Sequence, residues 1–151
     1  QRSLYQHPQY GSRCIHLGID LTVPANTPVS APCDSVVHSV ANHSQSGDYG
    51  FTLILKHTLN ETQFYTLYGH LSSSVLSLTE GQTLLAGEPL GHVGNPEDNG
   101  GWPTHLHFQI IHNLGNHHDD YPGVCSQEDA PAFLHNCPDP NLILKLNTPA
   151  I

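Results

Sequence analysis

The stretch of sequence that decides the fold is Thr104-His105-Leu106-His107-Phe108-Gln109-Ile110-Ile111. Aromatic and β-branched residues dominate it and Pro103 precedes it, which together predict a β-strand. Because side chains alternate between the two faces of a strand, His105, His107 and Gln109 share one face and apolar residues share the other. The sequence therefore predicts a strand with an apolar core face and a polar face that carries two imidazoles.

The two histidines of this strand suit a metal site. At about 3.3 Å per residue they start roughly 6.6 Å apart, so they could share one ion, or one could bind it while the other moves a proton. The chain contains 13 His among 151 residues, so the pair could also be a chance pair on a solvated strand. The residues alone leave both alternatives open and do not decide which histidine would bind a metal.

The composition favours one all-β domain. A chain of 151 residues can bury its own core, and 13 Gly, 12 Pro and many Ser, Thr and Val suit short strands joined by turns. We expect an irregular lead-in over residues 1–13, a motif core over 14–111 and a loop-rich extension over 112–151. Since the sequence contains no Met, it is expected to be a processed product or a piece of a larger protein.

Charge and hydrophobicity exclude two classes of partner. The net charge is −9 with only four Lys and Arg, so a nucleic-acid backbone would be repelled. No apolar run is long enough to span a membrane, and the N-terminus lacks the basic and then apolar pattern of a signal peptide.

A second polar strand face is predicted early in the chain. Residues 14–23 alternate apolar and polar side chains, as in one half-buried strand with His16 and Asp20 on the same face. Their Cα atoms would lie roughly 13 Å apart in an extended strand, and a kink at Gly18 would bring the side chains together. The two residues could bind a metal or form a hydrogen-bonded surface couple. Cys14 shares their face and is a rival ligand.

The middle of the chain predicts further strands and turns. Residues 29–32 and 35–41 are strand-like, and residues 49–57 and 62–70 predict an antiparallel pair joined at Asn60-Glu61, with His70 at its end. Short strands with glycine turns over 80–94 echo residues 28–40 and suggest an internal duplication.

Three features stay ambiguous in the sequence. Trp102, in the glycine- and proline-rich loop 95–103, could line a cleft or plug a core edge. The histidine- and aspartate-rich residues 116–120 favour a solvated loop. The four cysteines, at positions Cys14, Cys33, Cys125 and Cys137, lack C-x-x-C spacing; the last two could form a disulfide, or all could be free thiols.

Taken in order, these motifs resemble one family. The H-x-x-x-D strand, the strand ending in Tyr-Gly-His, the glycine-turn segment and the H-x-H strand are similar to the M23 zinc metallopeptidases, the LytM and lysostaphin-like endopeptidases that cut peptidoglycan cross-links. The resemblance covers residues 16–111. It implies a duplicated-hybrid-motif fold, in which antiparallel sheets form a barrel-like sandwich.

The resemblance also implies a site. His16, Asp20 and His107 would be the ligands of one Zn²⁺, leaving a fourth position for a water that the ion acidifies toward a pKa of about 7. His105 would be the general base for that water, and His70 would stabilise the oxyanion or help to protonate the leaving amine. The expected function is a zinc-dependent endopeptidase-type hydrolase acting on a peptide or peptidoglycan-like substrate.

Some segments depart from the cell-wall enzymes. The loop over residues 91–103 is bulkier than in those enzymes. The run over residues 99–107 and the tail over residues 137–142 are similar to the M23-type domain that bacterial proteins carry between a phosphotransferase-like domain and a class III aminotransferase. That similarity predicts covalently linked neighbouring domains. The chain would be cytoplasmic within such a fusion, and in the cell envelope or periplasm as a processed enzyme.

Two other functions compete with the hydrolase. A non-catalytic metal-binding or regulatory module could keep the fold inside a multidomain enzyme, although all five site positions are filled here. A phosphocarrier domain of the sugar phosphotransferase type would use paired histidines without zinc, and Asp20 in a ligand position disfavours it.

Overall fold

Strands dominate the computed structural model, which describes residues 13–146. In chain order, the strands are β1 Arg13–His16, β2 Ile19–Leu21, β3 Pro28–Ser30, β4 Ser35–His43, β5 Gly50–Leu59, β6 Thr62–Leu71, β7 Thr83–Leu84, β8 Pro89–His92, β9 Leu106–Ile111 and β10 Val124–Ser126. A 3-10 helix spans Ser73–Ser77, and the α-helices are α1 Ala130–Asn136 and α2 Asn141–Leu144. None of the helices in the described part is long and apolar enough to cross a membrane. The predicted lead-in lies outside the described residues, apart from Arg13.

The strands form one large sheet and two small ones. The large sheet has the order β2-β9-β6-β5-β4-β7, and the pairs β1-β10 and β3-β8 form the small sheets. All of these pairings are antiparallel. The predicted all-β fold of antiparallel sheets is confirmed. The sheets pack as a sandwich and do not close into a barrel, because the large sheet ends on the short edge strands β2 and β7.

The central hairpin forms where the sequence predicts it. Strands β5 and β6 form an antiparallel pair in which Leu59 lies opposite Thr62 next to the turn and Phe51 lies opposite Leu71 at the far end. Asn60 and Glu61 between them have φ values of 48° and 66°. Two consecutive residues with positive φ give a turn whose twist matches that of the strands. The hairpin carries His70 next to the end of β6.

Both faces of β9 are buried. Its apolar face, with Leu106, Phe108 and Ile110, joins one core, and residues of the C-terminal extension help to build a second core over the other face. All six residues of β9 are buried as a result. The polar face that carries His107 is therefore covered by the extension and is not a solvated strand surface.

The prediction of one continuous strand over residues 14–23 is wrong. The chain breaks at Leu17-Gly18, so that β1 pairs with β10 while β2 pairs with β9. Leu17 enters the second core, whereas Ile19 packs against the first. The Leu17 N–H donates to the carbonyl of Gly123 at 2.9 Å, which holds the break in place.

All four cysteines are free thiols. Cys125 and Cys137 are both buried and do not form a disulfide. Of the two alternatives that the sequence left open, the free-thiol state is confirmed.

Candidate metal centre and active-site cleft

Three polar side chains meet where β1, β2 and β9 come together. The break after β1 brings His16 Nε2 to 3.2 Å from Asp20 Oδ1. Asp20 lies directly opposite His107 in the β2-β9 pair, and His107 Nδ1 is 3.2 Å from the same oxygen. The two imidazole nitrogens are 3.1 Å apart. The three donor atoms thus form a nearly equilateral triangle.

The size and chemistry of this triangle fit a zinc ion. Zinc bound to nitrogen and oxygen at about 2.0–2.1 Å in a tetrahedron separates its ligand atoms by about 3.3 Å. Two imidazoles and one carboxylate form a three-ligand set of the kind that catalytic zinc sites use. Among residues 13–146, His16, Asp20 and His107 are the one group of three or more candidate donor residues this close together. Cys14 is exposed and lies outside the group.

Gln109 determines which nitrogen of His107 faces the triangle. His107 Nε2 lies 2.9 Å from the Gln109 amide oxygen. That oxygen only accepts, so Nε2 carries the proton and the lone pair of Nδ1 points to Asp20. The Gln109 amide nitrogen donates to the Pro122 carbonyl at 3.1 Å and to Cys137 Sγ at 3.3 Å. The sequence placed Gln109 on the face of His107 but did not reveal this role.

Replacing Gln109 with leucine should weaken metal binding. The side chain is fully buried, and the substitution leaves the His107 Nε2 proton without its acceptor, so the ring loses its fixed orientation. Loss of such an outer partner lowers metal affinity by about 10- to 100-fold. Competitive titration with a chromophoric chelator measures the change. The exposed Gln63→Leu variant is the matched control and should bind metal like the wild type; equal affinity of both variants would contradict the role of Gln109.

Gly18 is required by the close approach of β9. A Cβ atom there would lie 2.6 Å from the Phe108 carbonyl oxygen and 2.8 Å from the His107 ring. Gly18 therefore makes room for His107, in addition to lying where the sequence predicted a kink.

The protonation states of Asp20 and His107 favour binding of a cation at the triangle. Burial raises the pKa of Asp20, but the neighbouring imidazoles of His107 and His16 outweigh it and hold that pKa well below its usual range. Burial lowers the pKa of His107, against the opposing effect of Asp20. A charged carboxylate and a neutral imidazole are the protonation states that metal ligation requires.

The two other predicted histidines lie beside the triangle. The rings of His70 and His105 have centroids 4.3 Å apart, and His105 Nε2 is 3.8 Å from Asp20 Oδ1. His105 Nδ1 donates to the Pro103 carbonyl at 2.6 Å, and His70 Nδ1 donates to the buried Asn99 carbonyl at 3.0 Å. In both rings this leaves Nε2 as a lone-pair acceptor.

His70 is neutral in the folded protein. Burial, together with His105 and His107 nearby, lowers the pKa of His70 to about 3. Its backbone adopts φ = 63° in the left-handed region, and its N–H donates to the Tyr49 carbonyl at 2.8 Å. At neutral pH, His70 Nε2 accepts hydrogen bonds and does not donate them.

The buried His70 should make the metal-free protein sensitive to acid. The unfolded chain binds a proton at this histidine below about pH 6.5, while the folded protein does not until about pH 3. The free energy of unfolding should therefore fall as the pH drops below about 6.5, by about 2 kcal/mol from this group at about pH 5. Denaturant unfolding of chelator-treated protein measures this. The pH slope should flatten in His70→Asn and not in the exposed control His112→Asn; identical slopes in all three would contradict the assignment.

An open cleft of about 440 Å³ surrounds these residues. Trp102 lines it, with its ring centroid 6.2 Å from that of His70 and its Nε1 donating to the Asp48 carbonyl at 3.2 Å. The cleft alternative for Trp102 is confirmed. Asn99, fully buried, holds the loop by hydrogen bonds to the main chain of Trp102 at both amide atoms.

Residues of the segment 117–124 also line the cleft and form what we call its second wall. Residues 116–120 are all exposed, which confirms the prediction of a solvated loop. The sequence did not reveal that His117 and Asp120, whose side chains are 3.2 Å apart, line the cleft. The strand pattern of the sequence does not predict this, because the segment lies outside the large sheet. It reaches the cleft only through contacts with residues that are distant in the chain.

Comparison with known proteins identifies relatives of this domain. The family model described as peptidase family M23 matches residues 14–119. An uncharacterized metalloprotease of Haemophilus influenzae is 36% identical over 105 residues, which are 70% of this chain and 20% of that protein. The DD-carboxypeptidase/endopeptidase Mpg of Neisseria meningitidis is 35% identical over 103 residues, covering 68% of this chain and 21% of that protein. The chain thus spans about a fifth of the length of these curated relatives.

A solved structure has a similar fold. The catalytic domain of the prophage-encoded M23 protein EnpA from Enterococcus faecalis, crystallised as a mutant, superposes with a TM-score of 0.54 at 25% sequence identity. The match covers 71% of this chain and 75% of that one.

Proposed function

Because this chain belongs to peptidase family M23, we propose that it is a zinc-dependent endopeptidase that hydrolyses amide bonds of a peptide or peptidoglycan-like substrate. The observation that carries the proposal is the triangle of His16 Nε2, Asp20 Oδ1 and His107 Nδ1, with sides of 3.1–3.2 Å, at the edge of an open cleft. A zinc ion bound there would supply Lewis acidity, lowering the pKa of a water toward about 7 and polarising the scissile carbonyl.

In this proposal His105 is the general base. Its Nδ1 proton is held by the Pro103 carbonyl, so the lone pair of Nε2 is available at the cleft, 3.8 Å from the ligand oxygen of Asp20. A base must lie within hydrogen-bond reach of the proton that it removes, and the position of His105 beside the metal ligands supports this role. His105 would take a proton from the attacking water and pass it on toward the leaving amine.

His70 supports the same proton transfer. Its ring is 4.3 Å from the ring of His105, and its Nε2 accepts in the resting protein. The sequence predicts that His70 stabilises the oxyanion, and the ring can donate such a hydrogen bond only when its Nε2 carries a proton. Negative charge that develops on the substrate favours the protonated imidazole, so we propose that His70 donates only after it has received from His105 the proton that came from the water, and that this same proton then goes to the leaving amine.

The shape of the cleft supports an extended peptide as substrate. Trp102, Pro103, Tyr121 and Pro122 all line the cleft, so part of its surface is apolar and aromatic. Mostly apolar linings with a few polar groups are typical of ligand pockets, and we propose that a peptide binds here with its scissile carbonyl toward the ligand triangle.

Hydrolysis assays with the purified wild-type chain test this proposal. We expect new amino groups to appear when peptidoglycan fragments or peptides are incubated with the zinc-loaded protein, and no product after treatment with a chelator. A protein that holds about one zinc per chain but cleaves none of these preparations would instead support the alternative, a non-catalytic regulatory module.

The surroundings of the domain are part of the proposal. From the similarity to the M23-type domain of phosphotransferase–aminotransferase fusions we propose linked neighbouring domains and, within such a fusion, a cytoplasmic location; a processed enzyme would lie in the cell envelope or periplasm. The sequence of the parent polypeptide tests both statements, since a secretion signal without these neighbours would favour the cell envelope.

A further inference from the structure

The Tyr49 ring lies next to two histidines with different proposed roles, the metal ligand His107 and the proton-transfer residue His70. Its ring centroid is 5.1 Å from that of His107 and 5.8 Å from that of His70. Two glycines, Gly69 and Gly123, also pack against the Tyr49 side chain. A Cβ at Gly69 would approach the Tyr49 ring to 2.5 Å, and one at Gly123 would collide with the hydroxyl oxygen. The site is therefore built around this ring, with little space left beside it.

The hydroxyl of Tyr49 holds the second wall of the cleft. It donates to the Tyr121 carbonyl at 3.1 Å, in the segment 117–124 that forms this wall. Neighbouring carbonyls of the segment are held by other groups, since Pro122 accepts from Gln109 and Gly123 accepts from the Leu17 N–H. Each of these carbonyls has its own donor from the body of the domain, and Tyr49 supplies the one for Tyr121.

The main chain of Tyr49 contributes a third contact. Its carbonyl accepts the His70 N–H at 2.8 Å and so supports the left-handed backbone of His70. This contact survives any substitution of the side chain. Variants of Tyr49 therefore change the ring and the hydroxyl without removing the backbone support of His70.

From these contacts we infer that Tyr49 is a positioning residue with two separable roles in the proposed peptidase: its ring sets the positions of His70 and His107, and its hydroxyl holds the substrate-binding wall at Tyr121. The inference rests on the proposed function. The ring role acts on the chemical step, because it concerns a proton-transfer group and a metal ligand. The hydroxyl role acts on substrate binding, because it concerns the wall.

Two variants separate the roles. Tyr49→Phe keeps the ring and loses the hydroxyl; we expect KM to rise by about two- to tenfold, the usual range for one lost hydrogen bond, with kcat within about twofold and metal content unchanged. Tyr49→Leu also removes the ring, and we expect kcat to fall together with the rise in KM. An unchanged KM in Tyr49→Phe, or a fall in kcat alone, would overturn the inference. A merely structural role would lower the melting temperature without this split between kcat and KM.

A double-mutant cycle tests the contact between Tyr49 and the wall. Gly123→Ala places a methyl group against the hydroxyl oxygen, so it should raise KM in the wild-type background. In the Tyr49→Phe background the oxygen is gone, and the additional effect of Gly123→Ala should be clearly smaller. Independent, multiplicative effects on KM would overturn the assignment of the hydroxyl.

Amide hydrogen exchange tests the wall without any enzyme assay. The Leu17 amide is protected by the Gly123 carbonyl, so loosening of the wall in Tyr49→Phe should speed its exchange, by about tenfold, while the Leu55 amide in the central hairpin stays unchanged. If the wild type cleaves no substrate, the proposed function fails, and the exchange experiment still decides on the hydroxyl. Unchanged Leu17 exchange would overturn this role of Tyr49.

Discussion

Replacing His107 with alanine should remove both the metal and the hydrolytic activity. His107 supplies one corner of the donor triangle and is buried at 3% exposure, so no other side chain can take its place without moving β9. With two protein ligands left, metal affinity should fall by more than the about 10- to 100-fold expected for loss of the outer partner Gln109. Metal analysis of the purified variant and a hydrolysis assay measure the two effects.

The control for this experiment is His112→Ala. His112 is an exposed histidine directly after β9, so its removal changes the histidine count without touching the cleft. It should keep full metal content and activity. If His107→Ala retained its metal like this control, the ligand assignment would be wrong.

Replacing His105 with alanine should give the opposite combination of effects. His105 lies outside the donor triangle, so the variant should keep about one metal ion per chain. Loss of a general base lowers kcat by about 10²- to 10⁴-fold. Metal analysis and steady-state kinetics on the same preparation separate the two outcomes.

The result for His105 is informative in both directions. A variant that lost metal together with activity would show that His105 is a ligand and not the base. A variant that kept both would remove His105 from the proposed mechanism. The exposed His112→Ala protein again provides the reference for both measurements.

Local patterns were enough to predict much of the sheet. The alternation along β9 and the Asn60-Glu61 turn between β5 and β6 depend on near neighbours in the chain. The turn forms as expected, whereas β9 begins at Leu106 and leaves His105, which the sequence placed within the strand, just before it. The break at Gly18 was underestimated, because apolar and polar residues continue to alternate across it. Only the pairing of β1 with β10, more than a hundred residues away, shows that the strand must change sheets there.

The candidate site could be predicted only in part. The motifs nominate His16, Asp20 and His107, and the structure brings their donor atoms together. The residues that orient them were not found, because the roles of Gln109 and Tyr49 depend on contacts with Pro122 and Tyr121 in the C-terminal extension. Such long-range contacts leave no periodic pattern in the sequence.

Anomalous diffraction at the zinc edge, from crystals grown with zinc, tests most directly whether these residues hold a metal. We expect one strong peak at about 2.0–2.1 Å from His16 Nε2, Asp20 Oδ1 and His107 Nδ1. A peak on other residues, or no peak at this triangle with zinc present, would contradict it.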